Sequence, residues 1–595
     1  MNFRTLVQWI PGARRGCNPC WNIIGRSNIA RFNEMSYRRN WVPYLWNFLI
    51  AALLVCVSGA WGFGNRVKPE PRNPSGDRSE AATNARASKK PAARAGVAAF
   101  RARVDAAFAQ TNAPRALWGI LVEDRDSGEP LFDLNSDRSF APASNAKIVT
   151  SILALSSLGP DYKFRTTLES NGALSDSGQL SGDLFLMGRG DPTLSNRVFP
   201  YSGKVEHQGT AESPLAELAD AAVAKGLREV DGDVVGDDSF FPYDPYPAGW
   251  SVGDLFFEFG APVSAIDFND NTVSINIQPA AIAGDPPTVT FAPAAAAGTI
   301  SLELKTGPAD EKPDFDVVRE PTANFILLRG SVPAGQSATT LDFNMVHPAE
   351  IAARSLKQLL EARGVRITGT VRVHHAPPPD TSDTGDLPPT TDTFTPALGT
   401  SPLVLAEHDS PRLLEIVRMM NKISQNLYAE LLLRTVGREK GGTGTSEVGL
   451  KVEGDLLESV GVIGGDIDLS DGSGLSRDDL VTPRGVVALL RYAARQPWGE
   501  DFLSTLPISG VDGTLESRMK STPATGLIQA KTGSLEHDNS LSGYATTLRG
   551  EHLVFAMFGN NNPDHGRDAT QTLDAISVAM VETLGRPPKS KKKQR

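Results

Sequence analysis

Cysteine is nearly missing from this chain. The three present, Cys17, Cys20 and Cys56, all precede residue 60 of 595. The body therefore has no thiol nucleophile, thiolate metal site or structural disulfide. Cys17-Asn18-Pro19-Cys20 has no second pair to complete a metal or redox motif. Histidine is scarce too, with 8 in all and no H-E-x-x-H spacing. His374-His375 stands beside a Pro-rich stretch and reads as solvated. No metal and no cofactor is expected. Positive charge is lacking in the body. Residues 1–100 carry 15 basic and 4 acidic side chains, and the tail from Arg586 carries 6 basic ones, so a total of −10 leaves the stretch between near −27. That sign excludes nucleic acid as a partner.

Long apolar runs are also few. The exception is 41–60 (WVPYLWNFLIAALLVCVSGA), preceded by Arg38 and Arg39. It reads as an export signal ending near Ser58-Gly59-Ala60, or as an uncleaved membrane tether. Either way the body faces away from the cytoplasm. Met35 begins a more usual signal than Met1 does. Val55 before Cys56 does not fit a lipidation site.

The length implies several domains. Residues 1–64 are an N-terminal extension with the signal or anchor. Residues 65–95, rich in Arg, Pro, Ser and Ala, are a flexible linker. Apolar runs at 117–122 and 131–134 bracket a turn at Asp126-Ser127-Gly128 and predict a hairpin. An apolar helix is expected over 148–158, stopped by Gly159-Pro160. Between 166 and 399 short strands alternate with Gly/Asp/Pro turns. Helices are expected at 214–226 and 348–364, and a surface loop at 376–398. Helical pattern returns at 412–422 and, after a break, at 427–435. Strands are expected at 528–535, 541–548 and 552–558, and a last helix at about 569–584. No internal repeat is visible. The expected fold class is α/β (α+β). An antiparallel-sheet-plus-helix domain is split into 96–165 and 400–584. The β-rich insert 166–399 carries a smaller nested domain at 268–345. Residues 585–595 are a basic tail.

Three short motifs carry chemistry. Ser144-Asn145-Ala146-Lys147 opens the apolar helix. A spacing of three sets serine and lysine on one helix face. A serine hydroxyl needs a base to take its proton, and a buried lysine can be that base. Ser424-Gln425-Asn426 lies between two helical stretches. Its serine could relay a proton to a leaving group and its amide could grip a peptide carbonyl. Lys531-Thr532-Gly533-Ser534 lies on an expected strand, where an extended peptide can pair. Lys531 and Thr532 offer donors to a terminal carboxylate, and Gly533 removes bulk where substrate lies close. The backbone N–H groups of Ser144 and Ser534 could form an oxyanion hole. Each motif alone is common as a helix cap or solvated strand edge; the three in this order are not.

With these motifs the chain resembles the class C low-molecular-weight penicillin-binding proteins, the D-alanyl-D-alanine carboxypeptidase/endopeptidase family. The resemblance extends over about 97–584. It includes Gly188-Arg189-Gly190-Asp191-Pro192-Thr193-Leu194, Gly236-Asp237-Asp238-Ser239-Phe240-Phe241, Asp471-Gly472-Ser473-Gly474-Leu475-Ser476, Gly510-Val511-Asp512-Gly513-Thr514-Leu515 and Leu541-Ser542-Gly543-Tyr544. It implies a transpeptidase/β-lactamase-like fold split by an insert. It also implies peptidoglycan peptides and β-lactam antibiotics as partners. Ser144 would be the acylated nucleophile and Lys147 its proton acceptor, with Ser424, Asn426 and Lys531 completing the cleft. Asp237 would be the insert aspartate near the substrate side chain. Gln425 and Ser534 depart from the more frequent Asp and Thr. The turn aspartates Asp183, Asp191, Asp238, Asp471 and Asp512 read as Asx-type turns. A β-lactamase or esterase on the same fold, or a non-catalytic penicillin-binding sensor, would share these motifs.

Overall fold

The computed structural model describes residues 96–109, 113–318, 326–378, 402–563 and 566–585. All belong to the second of the chain's two compact units, Pro91–Arg595; the first, Met1–Lys90, lies outside the described residues, as do the stretch 41–60 and the basic tail from 586. Among the described residues no helix is long and apolar enough to cross a membrane.

Helix α1 (Val97–Ala109) leads into an antiparallel hairpin, β1 (Leu117–Asp124) and β2 (Pro130–Leu134). Asp124 locks the turn, accepting from the Ser127 N–H at 2.8 Å and its hydroxyl at 2.7 Å. A 3-10 turn over Ala143–Asn145 then feeds α2 (Ala146–Ser157).

The stretch from 165 to 409, reaching past the insert boundary expected at 399, contributes β3 (Arg165–Ser170), β4 (Leu184–Met187), α3 (Ser213–Ala224), β5 (Val234–Pro242), α4 (Pro348–Ala362), β6 (Val371–Ala376) and β7 (Leu403–Asp409). Its strands form one mixed sheet in the order β6-β5-β4-β3-β7, parallel across β6, β5 and β4 and antiparallel beyond. Between β5 and α4 lie two three-stranded sheets. One joins Thr339–Asn344, Thr272–Gln278 and Thr288–Ala292; the other joins Ile300–Gly307, Ile326–Pro333 and Asp314–Val318. Their buried Val273, Ile275, Ile277 and Leu328 share one core with Leu168, Leu186 and Val234 of the mixed sheet.

The chain then returns through α5 (Leu413–Ile423), α6 (Asn426–Gly441), α7 (Ser446–Ser459), α8 (Pro483–Ala493) and α9 (Gly499–Thr505). Strands β8 (Ile528–Ser534), β9 (Asn539–Thr546) and β10 (His552–Asn560) follow, and α10 (Arg567–Thr583) closes the unit. Strand order in the second large sheet is β8-β9-β10-β1-β2, antiparallel throughout. Alternation along its strands builds two cores, as a two-residue side-chain period requires. Leu121, Val554, Ala556 and Phe558 face a helical layer that includes α2, α5, α6 and α8. Ile120, Val122, Leu553, Phe555 and Met557 face α1 and α10. The class is the expected one, α/β with an antiparallel sheet and helices.

Candidate active site

The 3-10 turn sets Ser144 just ahead of α2, and the first turn of that helix carries Lys147. Ala143 holds φ at 49°, a left-handed conformation that costs energy outside glycine. Its carbonyl lies where a Cβ on Gly474 would come within 1.9 Å, so the loop containing Gly474 is pressed against the nucleophile turn. Helix α5 ends at Ser424, also left-handed with φ 63°. Gln425 caps α6 by accepting from the Leu427 N–H at 3.2 Å, so Asn426 is its first residue. The tight junction presents Ser424 and Asn426 together, although two helices meet there.

The three motifs converge. Lys147 is fully buried and its Nζ donates to Ser144 Oγ at 2.9 Å, Asn426 Oδ1 at 2.6 Å and the Ser473 carbonyl at 2.6 Å. Lys531 Nζ, equally buried, donates to Ser424 Oγ at 2.8 Å and to the Thr532 carbonyl at 2.9 Å. Burial disfavours the charged form of both amines. It brings Lys147 down to about 8, against the pull of Asp471, Glu430 and Asp479. It takes Lys531 well below the usual lysine range, and the charge on Lys147 pushes the same way. The arrangement is a hydroxyl beside an amine that can take its proton, and a second hydroxyl–amine pair beside the first.

Some roles differ from those read from the sequence. Asn426 has both ends engaged: its Nδ2 donates one N–H to the Phe259 carbonyl at 2.8 Å, which leaves the second N–H for substrate, while its oxygen holds Lys147. Its work in this structure is to orient the lysine and tie it to the insert. Gly533 has a packing reason beside the expected one of substrate approach. A Cβ there would meet Ser540 Oγ at 2.2 Å and the Pro142 carbonyl at 2.6 Å, because β8 lies against the nucleophile turn. Thr532 is held by a hydrogen bond between its hydroxyl and that of Thr514, 2.8 Å. Ser534, at the end of β8, is exposed.

Asp237 makes no hydrogen bond to this cluster. It sits on β5, 1% exposed, with Oδ2 2.8 Å from His374 Nδ1 and Oδ1 accepting from the Ser239 N–H and hydroxyl. Burial works to raise its pKa, but the bonds from His374 and Ser239 prevail and hold it below the usual carboxylate value. The histidines are correspondingly half-buried and paired rather than freely solvated. His374 is opposite Asp237 in the β5–β6 register, and His375 Nδ1 reaches Asp238 Oδ1 at 2.6 Å.

Residues not singled out as functional complete the site. Asn145 donates to Ser540 Oγ at 2.7 Å and to the Lys531 carbonyl at 3.2 Å, joining nucleophile turn to β8. Lys422 Nζ bonds both oxygens of Asp512, at 2.8 and 2.6 Å, ahead of the Gly513-Thr514 turn. Asp471, read as a turn former, does cap a turn, but a fully buried one beneath Lys147. Its D-G-S-G-L-S string was the available signal. Among the described residues no group of three or more His, Cys, Asp and Glu is placed to hold a metal ion.

Comparison with known proteins agrees with this geometry. The profile of the D-Ala-D-Ala carboxypeptidase 3 (S13) family matches residues 100–384 and 391–580. A D-alanyl-D-alanine carboxypeptidase of Actinomadura sp. (strain R39) is 32% identical over 497 residues, covering 82% of this chain and 85% of its own. The D-alanyl-D-alanine carboxypeptidase DacB of Haemophilus influenzae is 28% identical over 451 residues, 74% of this chain and 85% of its own. The crystal structure of penicillin binding protein 4 (DacB) from Haemophilus influenzae superposes with a TM-score of 0.66 at 24% identity, covering 80% of this chain and 99% of that one.

Proposed function

The chain belongs to the D-Ala-D-Ala carboxypeptidase 3 (S13) family and is a serine-type D-Ala-D-Ala carboxypeptidase; from that premise we propose that it cleaves peptidoglycan stem peptides, as carboxypeptidase or endopeptidase, through an acyl-enzyme on Ser144. The observation that carries the reading is Lys147 Nζ 2.9 Å from Ser144 Oγ in a fully buried setting. With its pKa near 8, about a tenth of Lys147 is neutral at pH 7 and ready to accept a proton.

Ser144 Oγ attacks the carbonyl carbon of the scissile bond as its proton passes to Lys147 Nζ. The carbonyl oxygen becomes an oxyanion, received by the backbone N–H groups of Ser144 and Ser534. As the C–N bond breaks, the leaving amine takes a proton through Ser424, whose hydroxyl is held by Lys531. Water then adds to the ester by the reverse route and releases the acid. Lys531, Thr532 and Ser534 supply the field and donors for the terminal carboxylate, with Gly533 keeping β8 close. Asn426 orients Lys147. Asp237, held on β5 by Ser239 and His374, would be the insert aspartate near the substrate side chain. A penicillin presents a carboxylate and a strained amide to the same groups and acylates Ser144.

Export by 41–60, as a cleaved signal or as a tether, puts the body where the wall is. Purified protein should be labelled by fluorescent penicillin, and Ser144→Ala should not be; equal labelling of both would refute the assignment. A long-lived acyl-enzyme together with release of D-Ala from a D-Ala-D-Ala peptide supports the peptidase. Rapid loss of the label would instead mark a β-lactamase, and labelling without peptide turnover a sensor.

A further inference from the structure

Lys147 is held by a backbone carbonyl, that of Ser473 at 2.6 Å, and a carbonyl is placed by whatever fixes its loop. The fixing group is Asp471. Its carboxylate accepts six hydrogen bonds: from the Ser473 N–H (3.1 Å) and hydroxyl (3.1 Å), and from the N–H groups of Gly474 (2.6 Å), Leu475 (3.0 Å) and Ser476 (2.8 Å). The sixth comes from across the molecule: Trp250 Nε1 of the insert donates at 2.8 Å. The insert is stitched to the same loop again where the Arg477 N–H donates to the Gly249 carbonyl at 3.1 Å. One residue before Ser473, the Gly472 carbonyl accepts from Thr150 of α2 at 2.6 Å. The loop thus grips α2 one turn apart, at Lys147 and at Thr150.

Charge points the same way. The ionisable groups facing Lys147 are Asp471 and Asp479 from the loop, Glu430 from α6 and Lys531 from β8. Glu453 of α7 faces Asp471. Burial first, and the neighbouring Asp471 second, push Glu430 and Glu453 up to about 8 and Asp479 up to about 10. In these three, burial disfavours the charged form. Among the described residues Glu453 Oε2 has no hydrogen-bond partner, which suits a neutral carboxyl better than a buried anion. Asp471, with its ring of N–H donors, is the carboxylate built to carry charge.

We propose that Asp471 is a positioning residue for the reaction: it holds the Ser473 carbonyl on Lys147 Nζ and is the anion that amine faces, while Trp250 makes the insert a partner in that setting. The proposal rests on Lys147 being the proton acceptor. An anion beside the amine favours its protonated form, so removing the anion frees the base at lower pH. Removing the Trp250 donor leaves the anion less compensated and acts oppositely. A residue that merely stabilised the loop would lower the rate or the melting temperature without moving the pH profile.

The test is the rate of acylation by fluorescent penicillin from about pH 6 to about pH 10 in wild type, Lys147→Ala, Asp471→Asn and Trp250→Phe. The rising limb should lie about one pH unit lower in Asp471→Asn and a few tenths higher in Trp250→Phe. Both limbs coinciding with wild type would overturn the proposal. Should Asp471→Asn fail to fold, Trp250→Phe decides alone: an upward shift supports the proposal, and no shift overturns it. A wild-type limb that survives unchanged in Lys147→Ala would instead show that Lys147 is not the base, and would take the proposal down with that reading.

Discussion

Replacing Gly533 by alanine tests how closely β8 must lie against the nucleophile turn. The new Cβ would stand 2.6 Å from the Pro142 carbonyl oxygen, 2.2 Å from Ser540 Oγ and 3.1 Å from Ala143 Cβ. Rotating Ser540 away gives no relief. Its hydroxyl donates to that same Pro142 carbonyl at 2.6 Å and accepts from Asn145 at 2.7 Å, so rotation breaks the tie between strand and turn. Backbone movement remains, and restoring ordinary contact with Pro142 takes about 0.7 Å. That opens the gap between Ser144 and Ser534, whose N–H groups must converge on one oxygen. Misplacement of this size costs roughly 30- to 100-fold in rate, and overpacking costs about 1–3 kcal/mol in stability. The acylation rate with fluorescent penicillin, read beside the melting temperature, measures both. Gly454→Ala is the comparison: its site in α7 has nothing within 4 Å of the added carbon, so stability should rise by about 0.5–1 kcal/mol with acylation unchanged. Gly533→Ala acylating within about twofold of wild type would refute the claim that this contact sets the catalytic geometry.

Two further outcomes are expected. Lys531→Ala should slow acylation roughly 10- to 150-fold, the worth of a charged hydrogen bond. Amidating the substrate's terminal carboxylate should cost wild type a similar factor and the variant little more; additive losses would assign Lys531 to Ser424 alone. Glu453→Gln should flatten the pH dependence of stability. The buried carboxyl is raised from 4.5 to about 8, so its contribution is intact below 4.5 and is lost as pH rises toward 8. Over that window the melting temperature of wild type should fall relative to the variant, and parallel curves would contradict the burial argument.

Much of the local architecture is legible in the residues. The hairpin, α2, α3, α4, the α5–α6 pair, the last three strands and α10 all follow from apolar periodicity and turn residues. Helices α1, α7, α8 and α9 do not stand out: Leu457 is the one large apolar residue that α7 buries, and α9 is under two turns long, so their apolar stripe is short. The site divides the same way. Side-chain partners in short motifs, Ser144 with Lys147 and Ser424 with Asn426, are visible because spacing carries the information. The Ser473 carbonyl on Lys147 is invisible, since a backbone atom has no letter of its own. Asp471 looks like any turn aspartate until its burial is known. His374 and His375 look solvated because the parallel register that sets His374 opposite Asp237 joins residues far apart in sequence.

That same non-local pairing governs when the enzyme can first act. The β1–β2 hairpin precedes the nucleophile turn, yet the other neighbour of β1 in the sheet is β10, and their contact runs from Leu117 opposite Asn560 to Asp124 opposite Leu553. A chain emerging N-terminus first exposes Ser144 and Lys147 long before β8, β9 and β10 exist to pair with it. Lys147 first waits for Asn426 and Ser473, and Lys531, on β8, is made later still. A polypeptide that ends before β8 therefore lacks both Lys531 and the strand that pairs with β1.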